Sequence, residues 1–166
     1  TVFYANQSSR NNYYDIGLQL ANSQFDYFAG GGFKDPQGSK SKVAQPENVL
    51  AAAKRNGFKV VNSKEQILAL NKNSGRVIAI NPQLDSDQAM PYEIDRQPGE
   101  LRLGDYVRKG IEVLDNPQGY FMMVESGKID WANHANDATA SIQDTIEFNQ
   151  AIMEAYQVYQ KHPQET

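Results

Sequence analysis

Residues 120–125 (YFMMVE) constrain the fold of this chain more than any other segment. The run is short and almost wholly apolar, bounded by Gly119 on one side and polar residues on the other, which is the pattern of a strand buried on both faces. Such strands belong to parallel sheets covered by helices, and the rest of the chain alternates accordingly. Residues 13–22 (YYDIGLQLAN) carry Tyr14, Leu18 and Leu20 at spacing compatible with an amphipathic helix. Residues 25–29 (FDYFA) read as a strand stopped by Gly30, Gly31 and Gly32. Pro46 suits the first turn of a helix through Val49, Leu50 and Ala53, with Gly57 as its stop. Residues 58–61 read as a strand, Ser63 with Gln66 as a capping box opening a helix through Leu70, and residues 76–81 (RVIAIN) as a further strand.

Residues 104–116 form a helix with Val107, Ile111 and Leu114 on one face and Tyr106 beside it. Residues 138–161 form the longest helix, in which Ile142, Ile146, Asn149, Ile152, Tyr156 and Tyr159 follow the helical period and Asn149 interrupts the apolar stripe. Residues 34–45, rich in Ser, Gly, Lys and Pro, read as a mobile loop, and the stretch near 82–100 as a long loop or small insertion. The expected organisation is one α/β unit over residues 1–166 with a mainly parallel sheet.

Composition removes several function classes. A net charge of -4 and a pI near 5.2 provide no electrostatic footprint for nucleic acid. No apolar run approaches the roughly 20 residues of a membrane span. With no cysteine and two histidines, His134 and His162, a metal centre here has to lean on carboxylates or be incomplete.

Chemistry concentrates in residues 119–137 (GYFMMVESGKIDWANHAND). An apolar strand ends in Glu125, and Asp130 and His134 follow in what reads as a polar loop. Ligands of parallel sheets bind beyond the carboxyl ends of strands. Asp130 and His134 offer an oxygen and a nitrogen acceptable to zinc, and Glu125 a hard oxygen suited to magnesium.

Within that segment, V-E-S-G-K-I-D-W-A-N-H resembles the metal-binding segment of alkaline phosphatases, usually V-E-G-x-x-I-D with a histidine four residues after the aspartate. T-I-E-F-N-Q-A-I resembles the family's following helix, F-D-Y-F-A-G-G-G-F its strand and triple-glycine turn, and F-Y-A-N-Q-S-S-R-N-N-Y-Y-D-I the segment carrying its substrate-binding arginine. The resemblance implies a three-layer α/β/α fold with a mainly parallel sheet, a partial copy of the alkaline phosphatase fold. It implies hydrolysis of phosphate monoesters through a phosphoserine intermediate, with two zinc ions and a magnesium ion in the whole enzyme. Residue by residue, Arg10 would grip the substrate phosphate, Glu125 would serve the magnesium site, and Asp130 and His134 one zinc ion. It further implies export to the periplasm or outside the cell.

Trp131 departs from the histidine or lysine common at that position and cannot ligate a metal. The family's nucleophile, in a D-S-A context, precedes the arginine segment and has no match here, nor do the remaining zinc ligands. The expectation is therefore an internal fragment, inactive alone, whose metal sites are incomplete and whose uncovered strand edges favour self-association. Asp85-Ser86-Asp87 follows the arginine and lacks the helix that a nucleophile should open, and His162 reads as a residue of the last helix's tail. Gly30 to Gly32 do not make a dinucleotide fingerprint, because Asp35 stands where the third glycine is needed. Two alternatives stay open: a related metal-dependent phosphodiesterase, and a non-catalytic α/β module serving packing or association.

Overall fold

The computed structural model describes residues 2–164. The order of elements is α1 (Tyr13–Asn22), β1 (Tyr27–Gly30), α2 (Val49–Arg55), β2 (Lys59–Val61), α3 (Lys64–Leu68), β3 (Val77–Ile80), a 3-10 turn (Glu93–Asp95), α4 (Leu103–Leu114), α5 (Gly127–His134) and α6 (Ala138–Lys161). The strands form one parallel sheet in the order β1-β3-β2. Alternation along β3 divides the core. Val77 and Ala79 meet Val61, Ile67, Leu70, Leu101 and Tyr106 on one face, while Ile78 meets Leu20, Ala21, Ala52, Ala53 and Phe58 on the other. Helices α1 and α2 thus cover one side and α3 and α4 the other, the three layers expected, with α6 packed outside on α4 and α5.

Local chemistry sets the ends of these elements. Helix α2 begins later than Pro46 suggests, because the Asn48 side chain accepts hydrogen bonds from the N–H groups of Leu50 (2.9 Å) and Ala51 (3.0 Å). Ser63 caps α3 by accepting from Gln66 N–H at 3.3 Å, while the Gln66 side chain turns back to Asn62 N–H rather than closing the box on Ser63.

Two sequence expectations differ from the structure. Residues 120–125 are not a strand, and no backbone hydrogen bond joins them to another segment among the described residues. Asp26 and Gly30 direct their carbonyls to Val77 and Asn81 of the β3 side, so Tyr27 and Ala29 turn their backbone groups to the opposite edge. That edge faces a groove of about 480 Å³ whose other wall is residues 119–125. The run carries the side chains of a buried strand without a neighbour to pair with, and Phe121 is 71% exposed. The chain's surface of 10342 Å² correspondingly exceeds the roughly 8,200 Å² of a closed monomer of this mass.

In α6 the helical period is present but the facing is reversed: Ile142, Ile146, Ile152, Tyr156 and Tyr159 lie on the exposed side. The buried residues are Ala140, Asp144, Glu147 and Ala151. Ala151 lets α6 approach the start of α4 closely, where a Cβ on Gly104 would stand 3.6 Å from the Ala151 Cα. The two carboxylates accept backbone N–H groups, Glu147 from Gly104 (3.2 Å) and Asp144 from Glu93 (3.3 Å). Donors at a helix start have no partner of their own, and this pairing fixes which way α6 faces.

One arginine closes the amino end of the sheet. Arg76 lies 4.0 Å over the Phe58 ring and donates to the carbonyls of Phe25 (3.2 and 3.1 Å), Asn56 (3.1 Å) and Ser23. It thereby ties the end of α1, the approach to β1 and the end of α2 to the first residue before β3. Arg76→Ala is expected to lower unfolding free energy by about 2–4 kcal/mol in urea melts, since several carbonyls lose a charged donor. Arg76→Lys should recover less than half, because an ammonium lacks the planar fork.

Candidate active site

A cavity of about 720 Å³ opens beyond the carboxyl end of β1. Arg10, Lys34, Asp87 and Glu125 are its charged lining residues, with Tyr13 and the glycine turn completing the wall. Arg10 stands on the turn before α1, where Asn12 N–H bonds to Ser9 C=O at 3.2 Å. Lys34 Nζ is 2.7 Å from Asp87 Oδ1 and 5.4 Å from the Tyr13 ring. Hydrogen bonding to Asp87 holds the Lys34 ammonium above the usual lysine value. Arg10 and Glu125, remote in sequence, therefore share one cavity. Sequence reasoning missed Lys34 and Asp87, although the place of Lys34 just after the glycines was a usable signal.

The glycine turn is built by close approach. Gly32 N–H donates to Gln88 C=O at 2.7 Å, and a Cβ on Gly31 would stand 2.6 Å from that same oxygen. The opposing turn, residues 85–89, is fixed by the Asp85 carboxylate, which accepts from the N–H groups of Asp87 (2.8 Å) and Ala89 (2.9 Å) and from Lys128 Nζ (2.5 Å). Burial pushes Asp85 up, but Lys128 and the backbone donors outweigh it and leave the carboxyl below its usual value. Ser86 is thus a residue of a tight turn. Gly31→Ala should force the two backbones apart. We expect a loss of about 1–3 kcal/mol in thermal melts, as for other overpacked sites.

Asp130 and His134 lie on α5, not in a loop. The helix has no apolar stripe to announce it, and Ala132 is its one fully buried residue. Spacing of one turn puts both side chains on the same face, with Asp130 Oδ1 3.5 Å from His134 Nε2 and both largely exposed. They do not line the large cavity, whereas Glu125 lines both it and a second of about 80 Å³ beside Asp144 and Glu147. The carboxylate oxygen and imidazole nitrogen fit two positions of a zinc ion. Among the described residues, no group of three or more His, Cys, Asp or Glu side chains is assembled for a metal.

The second cavity is densely charged. Glu93 pairs with Arg96 (2.8 Å) and Arg102 (3.2 Å). Burial raises Asp144 and Glu147 above ordinary carboxylate values, the nearby Glu93 charge adds to this, and the backbone donors they accept oppose it. A carboxyl raised on folding binds more protons in the native state, so its ionisation removes stability as pH rises from the ordinary carboxylate range through the raised value. Glu147→Gln, which keeps an acceptor for Gly104, should raise Tm at pH 8 and lose that advantage near pH 4.

The family described as alkaline phosphatase matches residues 3–166. The chain belongs to the alkaline phosphatase family. Alkaline phosphatase 3 of Bacillus subtilis (strain 168) is 30% identical over 141 residues, covering 82% of this chain and 29% of its own length. Alkaline phosphatase 4 of the same organism is 30% identical over 148 residues, 86% of this chain and 31% of that protein. The chain therefore spans about a third or less of these relatives. The alkaline phosphatase of the Antarctic bacterium TAB5 superposes with a TM-score of 0.79 at 27% identity, covering 96% of this chain and 44% of that one. A mutant of that enzyme, described with Mg bound in its M3 site, superposes at 0.76 with 27% identity, over 96% of this chain and 43% of its own.

Proposed function

We propose that this chain is the segment of a metal-dependent alkaline phosphatase that binds the phosphate group of a monoester and supplies part of the metal ligands. The observation that carries the reading is the meeting of Arg10 and Glu125 in one cavity beyond the carboxyl end of β1. A guanidinium offers two parallel N–H donors that match phosphate oxygens, so Arg10 holds the substrate and offsets charge on its equatorial oxygens. Lys34, neutralised by Asp87, leaves Arg10 as the cation available at that wall. Glu125 is the ligand for magnesium, and Asp130 with His134 supply two ligands of a zinc ion. Bound metal would activate the nucleophile and stabilise the leaving oxygen of an in-line displacement.

The nucleophile, a serine forming the phosphoserine intermediate, is contributed from outside these residues, a reading that rests on the resemblance, since Ser86 follows the arginine segment and opens no helix. The chain by itself binds zinc weakly and does not turn over phosphate esters. The whole enzyme acts outside the cytoplasm, which rests on the family resemblance. The reading as an associating module is favoured by the exposed apolar face of α6, and the two are compatible because none of that face's residues lines the cavity.

The test is binding of inorganic phosphate to the chain, followed by calorimetry. Arg10→Ala should weaken it about tenfold or more, the effect of a lost charged hydrogen bond, while Asp130→Ala should abolish zinc uptake and leave folding intact. Hydrolysis of a phosphate monoester by the chain with zinc and magnesium, abolished by chelation, would contradict the assignment of the nucleophile. Phosphate binding indifferent to Arg10→Ala would remove the central claim.

A further inference from the structure

Lys128 plays no part in the reading above, yet its side chain is only 12% exposed and meets the 85–89 turn, Tyr92 and, on its own helix, Trp131. Its Nζ is 2.5 Å from Asp85 Oδ2, 4.2 Å from the centroid of the Tyr92 ring and 4.4 Å from that of Trp131. We infer that Lys128 is a positioning residue that sets α5, and with it Asp130 and His134, against the 85–89 turn that braces the glycines of the cavity.

The argument begins with desolvation. An ammonium drawn out of water is stable only with partners, and here the partners are one carboxylate and two aromatic faces. Asp85 is already fixed by the N–H groups of Asp87 and Ala89 in its own turn, so it is a rigid anchor rather than a mobile counter-ion. That turn is in turn locked to the glycines through Gln88 C=O and Gly32 N–H. A continuous polar path thus runs from the cavity wall to α5. Trp131 shares α5 with Lys128 and covers the ammonium from the helix's own side, so it is the contacts outside α5, to Asp85 and to the Tyr92 ring, that resist rotation of the helix about its axis. A turn of one residue would carry Asp130 by about 100°.

The apolar packing of α5, centred on its one fully buried residue Ala132, is directed at α6 and not at the 85–89 turn. Other polar ties of α5, Ser141 Oγ to Asn133 Oδ1 at 3.0 Å and Asp137 N–H to Ala132 C=O at 2.9 Å, lead to α6. Lys128 is accordingly a side-chain link between the Asp130–His134 face and the turn bracing the cavity that Arg10 and Glu125 line, in addition to the backbone running from Glu125 through Ser126 into α5. What this means for metal binding rests on the reading of Asp130 and His134 as zinc ligands.

Trp131 is the single tryptophan of the chain and reports on the clamp directly. Lys128→Met keeps the aliphatic stem and removes the charge, and Asp85→Asn leaves Lys128 in place while removing its anchor. Both should change Trp131 emission and speed amide exchange over residues 129–134 by about tenfold or more, the scale of a lost charged hydrogen bond, with β3 amides unaffected. Lys128→Arg should restore the emission, because guanidinium also pairs with carboxylate and stacks on rings. Unchanged emission and exchange in Lys128→Met would overturn the inference, as would equal acceleration in β3, which marks a merely global loss of stability. Zinc chloride titrated into the same proteins separates the two claims. Weaker uptake by Lys128→Met than by the unmodified chain extends the clamp to the metal. No uptake by the unmodified chain contradicts the ligand reading and leaves the exchange data to decide on Lys128.

Discussion

Strand β3 is hydrogen-bonded on both edges and apolar on both faces, and the rest of the structure is arranged around satisfying it. Its parallel neighbours can be reached only through crossovers, which is why α2 and α3 stand between the strands. Its side chains divide the core into the two layers that the helices cover. Arg76 secures its entry. At its exit, buried Asn81 accepts from the Tyr106 hydroxyl at 2.7 Å and donates to Gln83 C=O at 2.5 Å, so the chain leaves the sheet in one direction. Tyr106 C=O in turn accepts from the Tyr27 hydroxyl at 2.9 Å, and burial raises both tyrosines so that they remain donors.

Beyond the sheet, the candidate site is assembled by polar contacts between loops and helix ends. Gln88 meets the glycines, Asp85 meets Lys128, and carboxylates of α6 meet the starts of α4 and of the 3-10 turn. Directional contacts of this kind hold groups at defined distances without filling the cavity with side chains. Catalysis by positioning in general needs both, because it depends on fixed donors and on space for a substrate.

Much of this was legible in the sequence. The periodicity of α1 and α6 gave their limits, and the alternation of strands with helices gave the layers. Where reading failed, the missing information was not local. Residues 120–125 have the side chains of a buried strand, but pairing depends on which strand lies alongside. The stripe of α6 has the right period, but its facing is decided by two carboxylates that bond to distant N–H groups. Helix α5 buries too little to leave a period at all. Among the candidate residues, Glu125, Asp130 and His134 were suggested by their chemistry and Arg10 by family resemblance, whereas the Lys34–Asp87 and Asp85–Lys128 pairs join residues with no sequence pattern between them.

The groove beside β1 has a thermodynamic consequence. Heat capacity rises on unfolding because apolar surface becomes hydrated, by about 12–15 cal/mol/K per residue for closed domains. In this chain Phe121 and its neighbours along the groove, like the outer stripe of α6, meet water before unfolding begins. Less new surface is wetted when the chain opens, so its heat-capacity increment falls below that of a closed domain of equal length. The stability of the chain accordingly follows a flatter curve with temperature than that of a closed domain of equal length.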